Sequence, residues 1–299
     1  MRWTPGGVSS DIEDRRGGGG GGFGGFGGGG FGRGPQVGCG GAVILLILSL
    51  VFGRNFFTLV DGSGGAGAPG PVQSAPGPGQ QMPPVAQTPE EERMVQFVSF
   101  VLDDAQNTWT ELLRKEGVEY PRAKLVLFRD VVESACGYAE SATGPFYCPA
   151  DNKVYIDLSF YQQLQDRFGA PGDFAQAYVI THEIGHHVQN VLGISDKVRQ
   201  AQQRDRRNAN EYSVRLELQA DCFAGIWGNT TSQRNILEAG DVEEGLNAAA
   251  AIGDDRMQQS AGRRVSPDSF THGSSAQRVE WFRRGLQSGR VSDCDTFGR

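Results

Sequence analysis

Residues 173–192 read DFAQAYVITHEIGHHVQNVL, and this stretch decides how the rest of the chain is interpreted. Its apolar residues recur with helical spacing, which predicts one α-helix. Three of the four histidines of the chain lie in it, and His182 and His186 are four residues apart. At 3.6 residues per turn both imidazoles lie on one face and can reach one ion, with Glu183 on the adjoining face. This H-E-x-x-H pattern indicates a zinc site in which the glutamate serves as the base.

A catalytic zinc site needs a third protein ligand and an open position for water. Glu217 and Asp221 lie at i and i+4 in a further predicted helix, residues 211–227. One carboxylate could bind the metal while the other accepts the free ring N–H of a histidine ligand. Two other ligand sets stay open: Asp221 could bind while Glu217 only caps or pairs, and Cys222 could take the third place.

The two motifs together resemble the gluzincin pattern, H-E-x-x-H followed by E-x-x-x-D on a separate helix. The resemblance implies one zinc ion per chain, bound by His182, His186 and Glu217. It also implies that Asp221 orients a histidine, which we expect to be His182.

The remaining chemistry follows from these parts. Glu183 would take a proton from zinc-activated water and pass it to the leaving amine. The tetrahedral oxyanion needs a donor besides zinc, and His272 is the candidate, with Arg278 and Tyr155 as weaker ones. His187 points about 100° away from His186 around the helix, so we expect it to be packed or to support a ligand rather than to bind metal.

The first third of the chain differs in composition from the rest. Residues 1–36 are glycine-rich and predict a disordered cytoplasmic leader. Residues 37–60 contain most of the uncharged stretch 34–53, whose 20 residues are long enough for one transmembrane helix. Residues 61–87 are rich in Gly and Pro and predict a linker, which leaves 88–299 as the catalytic domain.

The charges around the apolar stretch predict its orientation. More arginines precede it than closely follow it: Arg15, Arg16 and Arg33 before, Arg54 after. The positive-inside bias then predicts a single-pass protein of the cytoplasmic membrane, with its N-terminus in the cytoplasm and its catalytic domain outside.

Four cysteines fall in the predicted exported domain, an even number that suggests two disulfides in an oxidising compartment. Three connectivities are possible. Cys136 and Cys148 bracket a short loop, so we favour Cys136–Cys148 and Cys222–Cys294.

The domain itself predicts an α+β fold. A capping box at Thr88 starts an amphipathic helix that ends near Gly117, and residues 125–128 and 154–158 are short β-prone runs. Residues 154–158 are either ordinary sheet or an edge strand that pairs with substrate. The net charge of −7 and the lack of long Lys/Arg runs exclude nucleic acid as the expected partner.

Several motifs together resemble the bacterial putative neutral zinc metallopeptidase family. They are residues 144–149, 154–158, 182–189, 217–222 and 271–278. The resemblance implies a gluzincin-like domain that cleaves peptide or protein substrates. Two other functions remain open: a catalytically inactive binding module of the cell envelope, and a zinc amidase that acts on non-peptide bonds.

Overall fold

The computed structural model describes residues 1–17, 88–141, 144–166 and 169–298. The predicted membrane helix at 37–60 and the linker at 61–87 lie outside the described residues. Within the described ranges, no helix combines the length and apolarity needed to cross a membrane.

Eight α-helices account for most of the described chain. They are α1 (Pro89–Lys115), α2 (Ser159–Asp166), α3 (Asp173–Val191), α4 (Ile194–Arg204), α5 (Ala209–Gln233), α6 (Asp241–Ala251), α7 (Asp254–Ser260) and α8 (Ser275–Ser288). The sequence signals set several of their ends. Thr88 and Glu91 form the predicted capping box of α1, and Ser274 with Gln277 forms another at α8.

The start of α3 differs from the prediction. The sequence predicts that Asp173 caps this helix, but the N-cap residue is Gly172, and Glu244 Oε2 of α6 accepts from the first-turn N–H of Phe174 at 3.2 Å. The carboxylate of Asp173 instead accepts hydrogen bonds from the amino group of Met1 at 2.8 and 2.9 Å. After the helix, Gly193 has a φ of 68° and ends α3 as expected.

Strands form a four-stranded sheet and a separate hairpin. The strands are β1 (Ile12–Asp14), β2 (Lys124–Phe128), β3 (Val131–Ser134), β4 (Gly137–Glu140), β5 (Phe146–Cys148) and β6 (Lys153–Asp157). The sheet has the order β1-β2-β6-β5, in which only β5 is antiparallel to its neighbour, and β3 pairs with β4. Because β6 lies between β2 and β5, the predicted run at 154–158 is an interior strand, and β5 is at the edge.

The prediction of a disordered leader over residues 1–36 is wrong for its first part. Met1–Arg15 belong to the same compact unit as Gln87–Arg299, and β1 pairs in parallel with β2. The predicted domain 88–299 therefore lacks one of the strands of its own sheet. Residues 18–36 lie outside the described ranges.

Small residues let α5 and α8 pack closely against each other. A Cβ added at Gly225 would lie 2.1 Å from the carbonyl oxygen of Phe282, and one at Gly285 would lie 1.9 Å from that of Cys222. Only glycine is compatible with such backbone contact. This crossing brings the start of α8 beside the middle of α5.

Both disulfides have the connectivity that the sequence favoured. Cys136 pairs with Cys148, and Cys222 pairs with Cys294 across 72 residues of sequence. The second bond ties the C-terminal segment to α5, next to the predicted metal site.

Candidate metal centre

Helices α3 and α5 bring together the three side chains expected to bind zinc. Ligand atoms of His182, His186 and Glu217 all lie within 4.8 Å of one another. The two oxygens of Glu217 face one imidazole each, at 3.2 Å from His182 Nε2 and 3.4 Å from His186 Nε2. The donors thus converge on one point.

Convergence depends on how closely the two helices approach. Gly185 lies inside the predicted helix, where glycine costs about 1 kcal/mol relative to alanine, and this predicts close approach of another backbone, such as that of the Glu217 helix. A Cβ there would lie 3.0 Å from the carbonyl oxygen and 3.1 Å from the Cα of Ala220 on α5. Gly185 therefore lets the backbone of α5 come near enough for Glu217 to reach both imidazoles.

The outer nitrogens of the two histidines are hydrogen-bonded. The Nδ1 of His182 donates to Asp221 Oδ1 at 2.9 Å, and the Nδ1 of His186 donates to Gln189 Oε1 at 2.8 Å. Gln189 in turn donates to the carbonyl oxygen of Leu216 on α5 at 2.7 Å. These partners direct both Nε2 atoms toward the shared point, as outer hydrogen bonds do in metal sites.

Asp221 is fully buried and is held by a buried arginine. Arg278, only 2% exposed, donates from Nε to Asp221 Oδ2 and from Nη2 to Oδ1, both at 2.9 Å. The hydroxyl of Tyr178 also donates to Oδ1. Arg278 therefore serves as the counter-ion of Asp221. Its Nε and Nη2 groups are engaged there, which does not fit the role of oxyanion donor for which it was a weaker candidate.

Neighbouring charges raise the pKa of His182 and lower the pKa values of Glu217 and Asp221. Burial alone would lower the pKa of His182, but Asp221 and Glu217 outweigh it and raise that pKa to about 9. Burial opposes ionisation of both carboxylates, yet His186 and His182 hold the pKa of Glu217 well below its usual value. Arg278 and His182 do the same, less strongly, for Asp221. Both acids therefore carry charge at neutral pH.

Glu183 differs from Glu217 and Asp221, because burial outweighs the neighbouring positive charges at its carboxylate. Its side chain is buried, and burial raises its pKa, with His186 and His182 opposing the rise. A carboxylate with a raised pKa is better suited to accept and release a proton near neutral pH than an ordinary glutamate.

His272 lies in the loop before α8, and one carboxylate shapes that loop. Asp254 Oδ2 accepts from the backbone N–H groups of Thr271, His272 and Gly273 at 2.7, 2.7 and 3.0 Å. Asp254 Oδ1 lies 3.3 Å from His272 Nδ1. Burial lowers the pKa of His272, but Asp254 and Glu217 raise it overall, and its side chain is 41% exposed.

Three other candidates lie away from the convergent donors. His187 is packed, as expected: its Nε2 donates to the carbonyl oxygen of Pro121, and its Nδ1 accepts from Tyr147. Cys222 is in a disulfide, so it is not available as a ligand. Tyr155 packs in a separate apolar cluster and donates to Asp151 Oδ2 at 2.7 Å, so its hydroxyl is already engaged.

Sequence reasoning missed three supporting residues. Tyr178 precedes His182 by one turn and Gln189 follows His186 by three residues, so a search of the histidine face at i±3 and i±4 could have found both. Asp254 had no such signal, because it acts through a loop 17 to 19 residues further along the chain.

The chain belongs to a known family. The family model described as "Putative neutral zinc metallopeptidase" matches residues 1–297. The chain is 48% identical over 305 residues to the uncharacterized protein YpfJ of Escherichia coli K12, covering 100% of this chain and 99% of that protein. It is 45% identical over 189 residues to the uncharacterized protein Rv2575 of Mycobacterium tuberculosis H37Rv, covering 60% and 63%. No solved structure matches it.

Proposed function

We propose that this member of the neutral zinc metallopeptidase family binds one zinc ion through His182, His186 and Glu217 and hydrolyses peptide bonds. The carrying observation is the convergence of these donors, with Glu217 oxygens 3.2 and 3.4 Å from the two Nε2 atoms. Ligands of a tetrahedral zinc at about 2.1 Å lie roughly 3.4 Å apart, so the donor set fits this metal. Bound zinc would supply a Lewis acid that activates water and polarises a carbonyl.

Glu183 is the proposed general base. Its carboxylate is near enough to His186 and His182 for their charges to lower its pKa, and it is not one of the three convergent donors. Its raised pKa supports transfer of one proton from water to its carboxylate and from there to the leaving amine.

His272 is the proposed donor to the oxyanion. Asp254 fixes its loop through three backbone hydrogen bonds and supports the protonated imidazole through Nδ1. That leaves Nε2 as the donating atom. The partial exposure of the ring supports a role in contact with substrate.

The edge strand β5 supports a peptide as substrate. Its Tyr147 contacts His187 on the metal-binding helix at 2.9 Å, and the strand has only one neighbour among the described strands of its sheet. An edge strand offers backbone groups to which an extended peptide can add. We further propose attachment to the cytoplasmic membrane through residues 37–60 with the domain outside, which the two disulfides support.

Zinc analysis and peptide cleavage by the full chain in detergent test the proposal. Glu217→Ala should lose stoichiometric zinc. Glu183→Gln should keep the zinc and lose about 10²- to 10⁴-fold in rate, the usual contribution of a general base. Glu211→Gln is the matched control, because Glu211 lies on the same helix but is exposed and pairs only with Arg215.

The outcomes separate the proposed function from its rivals. Stoichiometric zinc in Glu217→Ala would remove Glu217 from the site. A wild-type chain that holds zinc and binds peptides without cutting them would be a binding module. Products cut only at non-peptide amides would make it an amidase.

A further inference from the structure

The first 15 residues are part of the sheet that supports the metal site. Leu125 N–H donates to the carbonyl oxygen of Asp11, and Arg15 N–H donates to that of Leu127, both at 2.8 Å. These bonds pair β1 with β2 over Ile12–Asp14. Removing β1 would turn β2 from an interior strand into an edge strand with unpaired backbone groups.

Side chains fix this strand with specific charges. Asp11 is buried and accepts from Arg122 Nε at 2.5 Å and from Lys124 Nζ at 2.8 Å. Glu13 accepts from Lys153 Nζ of β6 at 2.7 Å. Two acidic positions that meet three cations favour one register for β1.

Apolar contact extends the attachment to α1. The ring of Trp3 packs edge-on against Phe97 at 5.3 Å and lies 6.3 Å from Phe100. Arg93 lies over the Trp3 ring at 5.9 Å. The N-terminal segment is thus anchored on the sheet edge and on the first helix of the catalytic domain.

We infer that Met1–Arg15 and the catalytic domain lie on the same side of the membrane. The inference uses the proposed membrane attachment, but it is independent of zinc and catalysis. A chain that crosses the bilayer an odd number of times between residues 17 and 88 would separate β1 from β2. The uncharged stretch 34–53 is long enough for one crossing, about 20 residues, and too short for two.

Arg15 and Arg16, two of the three arginines from which the sequence predicts a cytoplasmic N-terminus, lie among the described residues. Arg15 pairs with Glu13 at 2.6 Å, and Arg16 is only 5% exposed. Arg15 belongs to the same compact unit as the domain, so its side of the membrane is set by the fold of that unit and it is not an independent signal for orientation. The two disulfides favour the oxidising side for the domain, and the docked N-terminal segment would share it.

Cysteine labelling in intact cells tests the shared side. Val8 and Val131 are 60% and 56% exposed and lie on the N-terminal segment and on β3. In a full-length Cys39→Ser background, Val8→Cys and Val131→Cys should react equally with a membrane-impermeant maleimide added before lysis. Labelling of Val131→Cys before lysis and of Val8→Cys only after it would overturn the inference. Protection of both until lysis would support a shared side, but in the cytoplasm.

A charge-reversal cycle tests whether the strand is docked in the full chain. Glu13→Lys and Lys153→Glu should each lower the unfolding midpoint by about 2–4 °C, the shift expected for about 1 kcal/mol in a domain of this size. The double variant should recover most of the loss. Additive losses in the double variant would mean that the two residues are not paired and would overturn the docking on which the inference depends.

Discussion

Zinc uptake at neutral pH should displace at least one proton from His182. In the metal-free protein both ring nitrogens of His182 face carboxylates, with Nδ1 at 2.9 Å from Asp221 and Nε2 at 3.2 Å from Glu217. Burial would lower the pKa of His182, but these two acids raise it to about 9. At pH 7 a proton therefore occupies Nε2, the atom that zinc must bind.

The size of the effect follows from that pKa. Each pH unit below it costs about 1.4 kcal/mol, because the proton must be removed before the metal binds. At pH 7, two units below 9, the competing proton costs about 3 kcal/mol. It weakens the apparent zinc affinity about 100-fold relative to a deprotonated site. The pKa of His186 is also raised, so the total release should lie between one and two protons.

Calorimetric titration of the chelator-stripped full chain in buffers of different ionisation enthalpy measures this release. Competition with a chelator, corrected for the chelator's own protonation, should show the apparent affinity rising at least about tenfold per pH unit between pH 7 and 8, because each released proton contributes a factor of ten. Asp221→Asn should release fewer protons at pH 7, because it removes the strongest influence that raises the pKa of His182. An affinity independent of pH over this range, with no proton release, would refute the reasoning.

Three further outcomes are expected. Gly185→Ala should weaken zinc binding about tenfold, because the new Cβ would push α5 by a few tenths of an ångström. Gly228→Ala should leave zinc binding unchanged, since its Cβ would meet the end of the Leu286 side chain and the Phe174 ring but no backbone atom. Equal zinc affinities of the two variants would contradict this. Arg278→Met should lower the free energy of unfolding by about 3–5 kcal/mol in denaturant titrations, because it leaves a buried carboxylate without its counter-ion; a change under 1 kcal/mol would contradict it. Loss of the Cys222–Cys294 bond should cost about 4 kcal/mol from its 72-residue loop, and an unchanged midpoint under reductant would contradict that estimate.

Local signals were enough to predict α1, α3 and α5 and to select the three side chains that converge in the structure. The capping boxes at Thr88 and Ser274 and the glycine after α3 act within one turn of the chain, so they can be read without a tertiary structure. The i, i+4 spacings of the H-E-x-x-H and E-x-x-x-D motifs depend only on helix geometry. The need of the metal for a third ligand then linked two helices that are distant in sequence.

Long-range pairing was not predictable in the same way. The three residues of β1 pair in parallel with a strand more than 100 positions away, and a parallel pair leaves no turn between its strands to mark it. The glycine-rich composition that follows also favoured disorder for the whole segment. β5 was hidden in a stretch rich in turn residues, which left β6 as the apparent candidate for the edge.

Buried Arg278 is the last member of a chain of hydrogen-bonded groups that runs from Glu217 through His182 and Asp221. Asp221 can keep the Nδ1 proton of His182 as a hydrogen-bond donor only while it stays ionised, and burial works against that. Arginine remains charged in any such environment, so Arg278 keeps the carboxylate ionised whether or not a metal is present. It reaches Asp221 only because α5 and α8 touch at Gly225 and Gly285. The close crossing of α5 and α8 at these glycines therefore supports the orientation of the His182 imidazole through Arg278 and Asp221.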